Sequence, residues 1–141
     1  MQSLKYFGIC IKASRKSACD FDHVKAKFYR TLNCIYAKSF TGNSEFITIE
    51  LLRSCCLPVL LYAIESLLPR VCDINSLNNC INIAVAKIFR VSFNNVDFIR
   101  QMTGLTSLRV LVAERRSRFF SKLHQSTLFR SLMLLLYNRI F

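Results

Sequence analysis

Apolar residues recur at spacings of three and four along most of this chain, a pattern that predicts amphipathic helices. The first stripe follows Asp20, a residue type that caps helices, and Gly42 is placed to end the helix in a left-handed cap. The apolar members of the stripe are Phe21, Val24, Phe28, Leu32, Ile35, Tyr36 and Phe40. We therefore expect a first amphipathic helix between residues 20 and 42.

A second helix is expected to start at Asn43 or Ser44, both of which are good capping residues. It runs into Pro58, which lacks a backbone N–H and should kink the helix. Beyond the kink we expect the helix to continue over residues 59–68, until Pro69 stops it.

A third helix is expected to be capped by Asp73 and to carry Lys87 and Arg90 in its last turn, where cations complement the helix dipole. Its predicted apolar stripe comprises Ile74, Leu77, Ile81, Ile83, Ala84, Ile88 and Phe89. A short segment then ends at Gly104, and a further helix is expected to begin at residues 106–107. The stripe of that last helix comprises Leu108, Leu111, Val112, Phe119 and Leu123.

The two ends of the chain differ from this helical body. Residues 4–11 favour extended structure and predict one short strand, in which Gly8 marks a bulge or a close backbone approach. Residues 1–19 thus predict a strand and a basic connection, 20–125 a helical body, and 126–141 an apolar C-terminal helix. The predicted fold is mostly α, a single-domain helical bundle with one N-terminal β-strand.

Charge narrows the choice of partner. Twenty Lys and Arg against eight Asp and Glu give a formal net charge of +12, which attracts nucleic acid or an anionic membrane surface. No run of five like charges occurs, so the cations belong to structured segments. The candidate nucleic-acid-binding residues are Lys5, Lys12, Arg15, Lys16, Lys25, Lys27, Arg30, Arg115, Arg116, Arg118 and Lys122. The candidates for stacking on bases are Tyr29, Phe119 and Phe120. Ordinary solvated helix faces are the alternative interpretation of these cations.

Nothing in the sequence predicts catalysis. There is no G-x-S-x-G elbow, no Gly-rich phosphate loop and no H-E-x-x-H pair. A two-metal polymerase site needs clustered carboxylates, whereas the closest pair, Asp20 and Asp22, is explained as a helix cap and a first-turn charge. His23 and His124 lie outside any recognisable motif and are expected to be solvated. We expect no enzyme activity, no metal and no cofactor.

Cysteine usage favours an intracellular protein, nuclear or cytoplasmic. The seven Cys residues are odd in number, and the N-terminus lacks the order of charge and apolar residues of a secretory signal. Cys55 and Cys56 are expected to pack in the core, with a reactive thiolate near cations as the alternative. The most apolar window, residues 51–68, contains Arg53 and Glu65, so we expect a buried helix and no transmembrane segment.

Several stretches carry a resemblance to a known family. KYFG at residues 5–8 is similar to a KYLG turn, VKAKF at 24–28 is similar to a basic helix, and LPVLLYAIE at 57–65 is similar to an LPxLLYGxE stretch. Together with residues 77–91, they resemble the region after the catalytic palm of LINE-type (non-LTR) retrotransposon reverse transcriptases. Ala63 and Arg90 stand where that family usually has glycine.

The resemblance implies a noncatalytic thumb and connection region that grips primer–template duplex, an RNA–DNA hybrid. The catalytic carboxylates of that family lie in the palm, and neither palm nor fingers is represented here. The implied partners are nucleic acid and a chain that carries the missing regions, or another protein. Two alternatives stay open. One is a helical protein-interaction or peripheral membrane-surface protein. Exposed Trp anchors would favour membrane binding, but the sequence contains no Trp. The other is a translated relic without a selected function.

Overall fold

A short antiparallel sheet precedes the helices. The computed structural model describes residues 3–6, 9–12, 18–39, 42, 44–62, 64–65, 67 and 69–140, and the side chains of those from 20 to 135. The strands are β1 (Ser3–Tyr6), β2 (Ile9–Lys12) and β3 (Ala18–Asp20), in the order β1-β2-β3. Leu4 pairs with Ile11, so the residues of the strand expected over 4–11 form two strands that pair with each other.

Helix α1 (Asp22–Ser39) follows the sheet directly. Asp20 caps it as predicted, because its carboxylate accepts a hydrogen bond from the N–H of Asp22 at 3.0 Å. Gly42 has a φ of +123°, which is positive but wider than the left-handed helical cap that was predicted. The helix ends three residues earlier, at Ser39, and residues 40 and 41 lie outside the described part of the chain.

The second predicted helix is divided around Pro58. Its parts are α2 (Glu45–Leu51), a π-helical turn (Leu52–Cys56) and α3 (Leu57–Leu60). Ser44 caps α2 by accepting a hydrogen bond from the N–H of Phe46 at 3.3 Å. At the end of the π turn, the N–H of Leu57 donates to the carbonyl of Leu52, five residues back. The expected disturbance at Pro58 thus takes the form of a widened turn just before the proline.

The prediction that this helix continues over residues 59–68 is wrong. Helix α3 ends at Leu60, and the described residues from 61 to 67 form turns and a bend. Leu61 and Ile64 are nevertheless buried. The apolar run therefore supplies core side chains from a non-helical segment, because burial depends on tertiary contacts and not on a helical period.

Helix α4 (Val71–Phe89) starts two residues before its predicted cap. Asp73 lies in the first turn, where its carboxylate accepts hydrogen bonds from the backbone N–H of Arg70 at 3.0 Å and from the Arg70 guanidinium. Ile83, predicted to lie on the apolar stripe, is exposed. Arg90 lies beyond the last turn with a left-handed backbone, φ +53° and ψ +42°, so it ends the helix instead of belonging to it.

The C-terminal half contains a 3₁₀ turn (Phe93–Asn95), α5 (Val96–Met102), α6 (Leu108–Gln125) and α7 (Thr127–Ile140). Gly104 ends α5 as predicted. Its φ is +66°, and its N–H donates to the carbonyl of Gln101 while the N–H of Leu105 donates to that of Arg100. Ser107, with an extended backbone, is the cap residue of α6, which confirms the predicted start.

Helix α4 lies at the centre of the packed core. It contacts α1, α2, α5 and α6, while the π turn and α3 pack on α1. The largest fully buried side chains are Phe28, Leu32, Ile49, Leu52, Leu60, Ile64, Leu77, Ile81, Leu108, Val85, Val96 and Cys56. The described chain is mostly helical, as the sequence predicts. No described side chain from residue 113 to 135 is buried, so the core ends within the second turn of α6.

Candidate functional site

The cations predicted on α1 divide between two sides of the helix. Burial of Phe28 fixes the inward face. Lys27 and Arg30 are exposed, lie three residues apart and therefore share one flank, which we call the α1 cationic flank. Lys25 lies on the opposite side of the buried stripe, is half-buried, and makes an ion pair with Asp22 at 3.1 Å. The α1 cationic flank thus has two charges available for a ligand.

On α6, the buried residues Leu108 and Val112 fix the side that faces the core. Arg115, Arg118 and Lys122 follow at i, i+3 and i+7 and so share one flank, which we call the α6 cationic flank. Arg118 and Lys122 are exposed, whereas Arg115 is half-buried. These three residues form a row of like charge along one face of α6.

Arg116 stands apart from that row. It is half-buried on the other side of the inward stripe of α6. The helix geometry therefore separates Arg116 from the three other candidate cations of α6.

Acidic side chains offset little of this charge. Glu114 approaches the Arg118 guanidinium at 3.8 Å, and both side chains are more than half exposed. An exposed pair at that distance is worth at most about 1 kcal/mol and weakens with salt. Within the described part of the chain, Lys27, Arg30, Arg115 and Lys122 have no acidic partner within ion-pair distance.

The two cationic flanks lie on helices that pack on the same central helix. Helix α1 packs on α2, α3 and α4, and α6 packs on α4 and α7, so α4 connects the two helices. Of the N-terminal candidates, Lys5 lies in β1 and Lys12 in β2, where only the backbone is described. Arg15 and Lys16 lie outside the described residues.

The three aromatic candidates differ in their surroundings. Tyr29 packs against the core and stacks edge-on with Phe28 at 5.4 Å, and burial together with a hydrogen bond to Cys80 raises its pKa to about 12. Phe119 is half-buried, whereas Phe120 is exposed and contacts Phe119 edge-on at 5.7 Å. Phe120 is thus the exposed aromatic candidate, and it follows Arg116 by four residues, so it lies on the side of α6 that carries Arg116 and not on the α6 cationic flank.

The Cys pair is divided by the π turn. Cys56 is fully buried, and burial together with the neighbouring Cys55 raises its pKa to about 11, so core packing is confirmed for this thiol. Cys55 is exposed, so the packing expected for it is wrong. His23 and His124 are also exposed. Among the side chains that are described, no three His, Cys, Asp or Glu residues come close enough together to hold a metal ion.

Sequence reasoning missed a buried cation, Arg100. Its guanidinium donates to the side-chain oxygens of Asn78 and Asn82 at 3.1 and 2.6 Å, and to the carbonyls of Leu105 and Thr106 at 3.4 and 2.9 Å. Burial lowers the pKa of Arg100, and the charge of Asp97 partly opposes this.

Four of the five N–H donors of Arg100 are used on neutral oxygens, so the residue ties α5 and the following loop to α4. Asn78 also accepts a hydrogen bond from the N–H of Leu108, which starts α6. Asn78 and Asn82 lie one turn apart on α4 and are half-buried, but α4 carries other polar residues, so the sequence does not single out this pair as partners of a buried cation.

Comparisons with protein-family models, curated proteins and solved structures find no match to this chain. In the part of the chain that the structure describes, no helix has both the length and the apolar character needed to cross a bilayer.

Proposed function

We propose that the chain binds the sugar-phosphate backbone of a nucleic-acid duplex through the α1 and α6 cationic flanks. The observation that carries this proposal is the exposure of Lys27, Arg30 and Lys122 without acidic partners, on helices fixed to a common core. The helical backbone is already ordered, so only the side chains lose conformational freedom when they meet phosphates, and each contact releases counterions. Phosphate contacts position a duplex without reading its sequence.

The preferred ligand of this proposal is an RNA–DNA hybrid, since the resemblance to LINE-type reverse transcriptases implies a noncatalytic thumb and connection region. Arg90 supports that resemblance. It has a left-handed backbone, the conformation that glycine adopts most readily, at a position where the family usually has glycine. Polymerase activity is not part of the proposal, because it would require the palm carboxylates.

The test compares two variants of equal charge change on opposite sides of α1. Lys27→Glu removes a free cation of the α1 cationic flank, and Lys25→Glu, the matched control, removes one that is already paired with Asp22. Binding to a fluorescent RNA–DNA hybrid is measured by anisotropy at several salt concentrations, with duplex DNA of the same sequence in parallel.

We expect Lys27→Glu to weaken binding at least fivefold and to reduce the salt slope by about 1, the value typical of one lost phosphate contact. Lys25→Glu should have a smaller effect, within about twofold. Equal losses for both variants would contradict the proposal, because they would show a response to net charge and not to a defined flank. Equal affinity for hybrid and DNA would contradict the hybrid preference alone.

A further inference from the structure

Helix α7 carries an apolar surface that the rest of the described chain does not cover. Leu128, Leu132, Met133, Leu134 and Leu135 are each between 52% and 77% exposed. The described contacts of α7 are with α6, including an edge-on contact of Phe129 with His124 at 5.3 Å. Exposed aliphatic surface on this scale is unfavourable in water and indicates an interaction site.

Part of the exposed apolar surface of α7 forms a single stripe, while Met133 and Leu134 lie on the same side as Arg130. Leu128, Leu132 and Leu135, spaced i, i+4 and i+7, share one face, and Arg130 projects from the opposite side. The flanking half of α6 adds Arg118 and Lys122, both exposed. We call this region, residues 113–135, the C-terminal arm. It combines an aliphatic stripe with cations and lies beyond the end of the core.

Charge decides among the possible occupants of the arm. After Glu114 the sequence contains no acidic residue, while it contains the cations Arg115, Arg116, Arg118, Lys122, Arg130 and Arg139. A second copy of the arm would bring like charges together, which is unfavourable. Nucleic acid would satisfy the cations but would leave the leucine stripe in water. An anionic lipid surface satisfies both, because its headgroups attract the cations and its acyl chains accept the leucines.

We propose that the C-terminal arm binds the surface of membranes that contain anionic phospholipids. Helix α7 lies in the plane of the interface with Leu128, Leu132 and Leu135 toward the acyl chains, since no described helix is suited to span the bilayer. The cations of α6 and Arg130 contact the headgroups. The proposal does not rest on nucleic-acid binding, which uses α1 as well.

The test measures co-sedimentation of the full chain with vesicles of phosphatidylcholine alone and of phosphatidylcholine with 25% phosphatidylserine. We expect at least tenfold stronger binding to the anionic vesicles. Leu132→Asp with Leu135→Asp should weaken that binding at least tenfold. The matched control is Phe98→Asp with Met102→Asp, which places the same two charges on exposed apolar positions of α5, outside the arm.

The variants remain folded in this account, because the arm supplies no buried side chain to the core, and circular dichroism checks this. Equal binding of the double variant and the wild type to anionic vesicles would overturn the proposal. So would a dimer, detected by light scattering, that the double variant converts to monomer, since it would show that a second copy covers the stripe. The anisotropy measurements on hybrid duplex serve as a separate readout, which the double variant should leave within about threefold of the wild type.

Discussion

Replacement of Arg100 by Met tests the packing of α5 and α6 on α4. Met keeps much of the aliphatic stem and removes the guanidinium, which is buried with 6% of the residue exposed. Four hydrogen bonds disappear, two to side-chain oxygens of Asn78 and Asn82 and two to the carbonyls of Leu105 and Thr106. The variant therefore measures how much these four hydrogen bonds contribute to the free energy of unfolding.

The expected loss is smaller than a sum of four bonds. At about 1.5 to 3 kcal/mol for each hydrogen bond to a charged group, the sum would approach the whole stability of a typical domain. Much of the free energy of these hydrogen bonds offsets the cost of removing the Arg100 cation from water. The same burial lowers the pKa of Arg100. The remaining penalty comes from acceptors left without donors, at about 1 to 3 kcal/mol for each one that water cannot reach. With one or two such acceptors, we expect a loss of about 3 kcal/mol.

Urea unfolding followed by far-UV circular dichroism measures this loss as a lower midpoint with an unchanged m-value. The control is Arg109→Met on α6, where the exposed guanidinium makes one hydrogen bond to Asn75 at 3.3 Å. The control should stay within about 0.5 kcal/mol of the wild type. If Arg100→Met also changed the free energy of unfolding by no more than about 0.5 kcal/mol, this explanation would be refuted, because the acceptors would have found other partners.

Two further predictions concern the backbone at Arg90 and the Cys pair. Arg90→Gly should raise the unfolding free energy by about 0.5 to 1 kcal/mol, because the left-handed φ of +53° strains any residue with a Cβ, and a lower melting temperature than the wild type would contradict this. In native protein at pH 8.5, iodoacetamide should modify the exposed Cys55 well before Cys56. Burial raises the pKa of Cys56 to about 11 and keeps it a thiol. Equal modification rates, measured by mass spectrometry, would disprove this assignment.

Local sequence patterns were sufficient to predict the helices that bury one face and expose the other. The stripes of α1 and α6 repeat at three and four residues. Asp20 and Ser44 cap α1 and α2 through short-range hydrogen bonds, and Gly104 ends α5 with a positive φ. These signals act within one turn of chain, so they can be recognised without knowledge of the fold.

The predictions that were wrong or incomplete concern residues whose structure depends on contacts with residues far away in the sequence. Residues 59–68 are apolar apart from Glu65 and Ser66, so no period distinguishes a buried helix from the turns that the described residues after Leu60 form. The burial of Arg100 depends on Asn78 and Asn82, 22 and 18 positions earlier, which no local pattern connects to it. The different orientations of Lys25 and Lys27 follow from helix geometry, but the pairing of Lys25 with Asp22 required the structure.

The salt dependence of hybrid binding tests the central claim most directly. The two cationic flanks contain five cations, and if most of them contact phosphates, the logarithm of the association constant should fall with the logarithm of salt concentration with a slope of about −4. Affinity for a labelled RNA–DNA hybrid would then drop by roughly two orders of magnitude between 50 and 200 mM salt. A slope shallower than about −1, or no binding at 50 mM salt, would contradict a function in gripping nucleic-acid backbone.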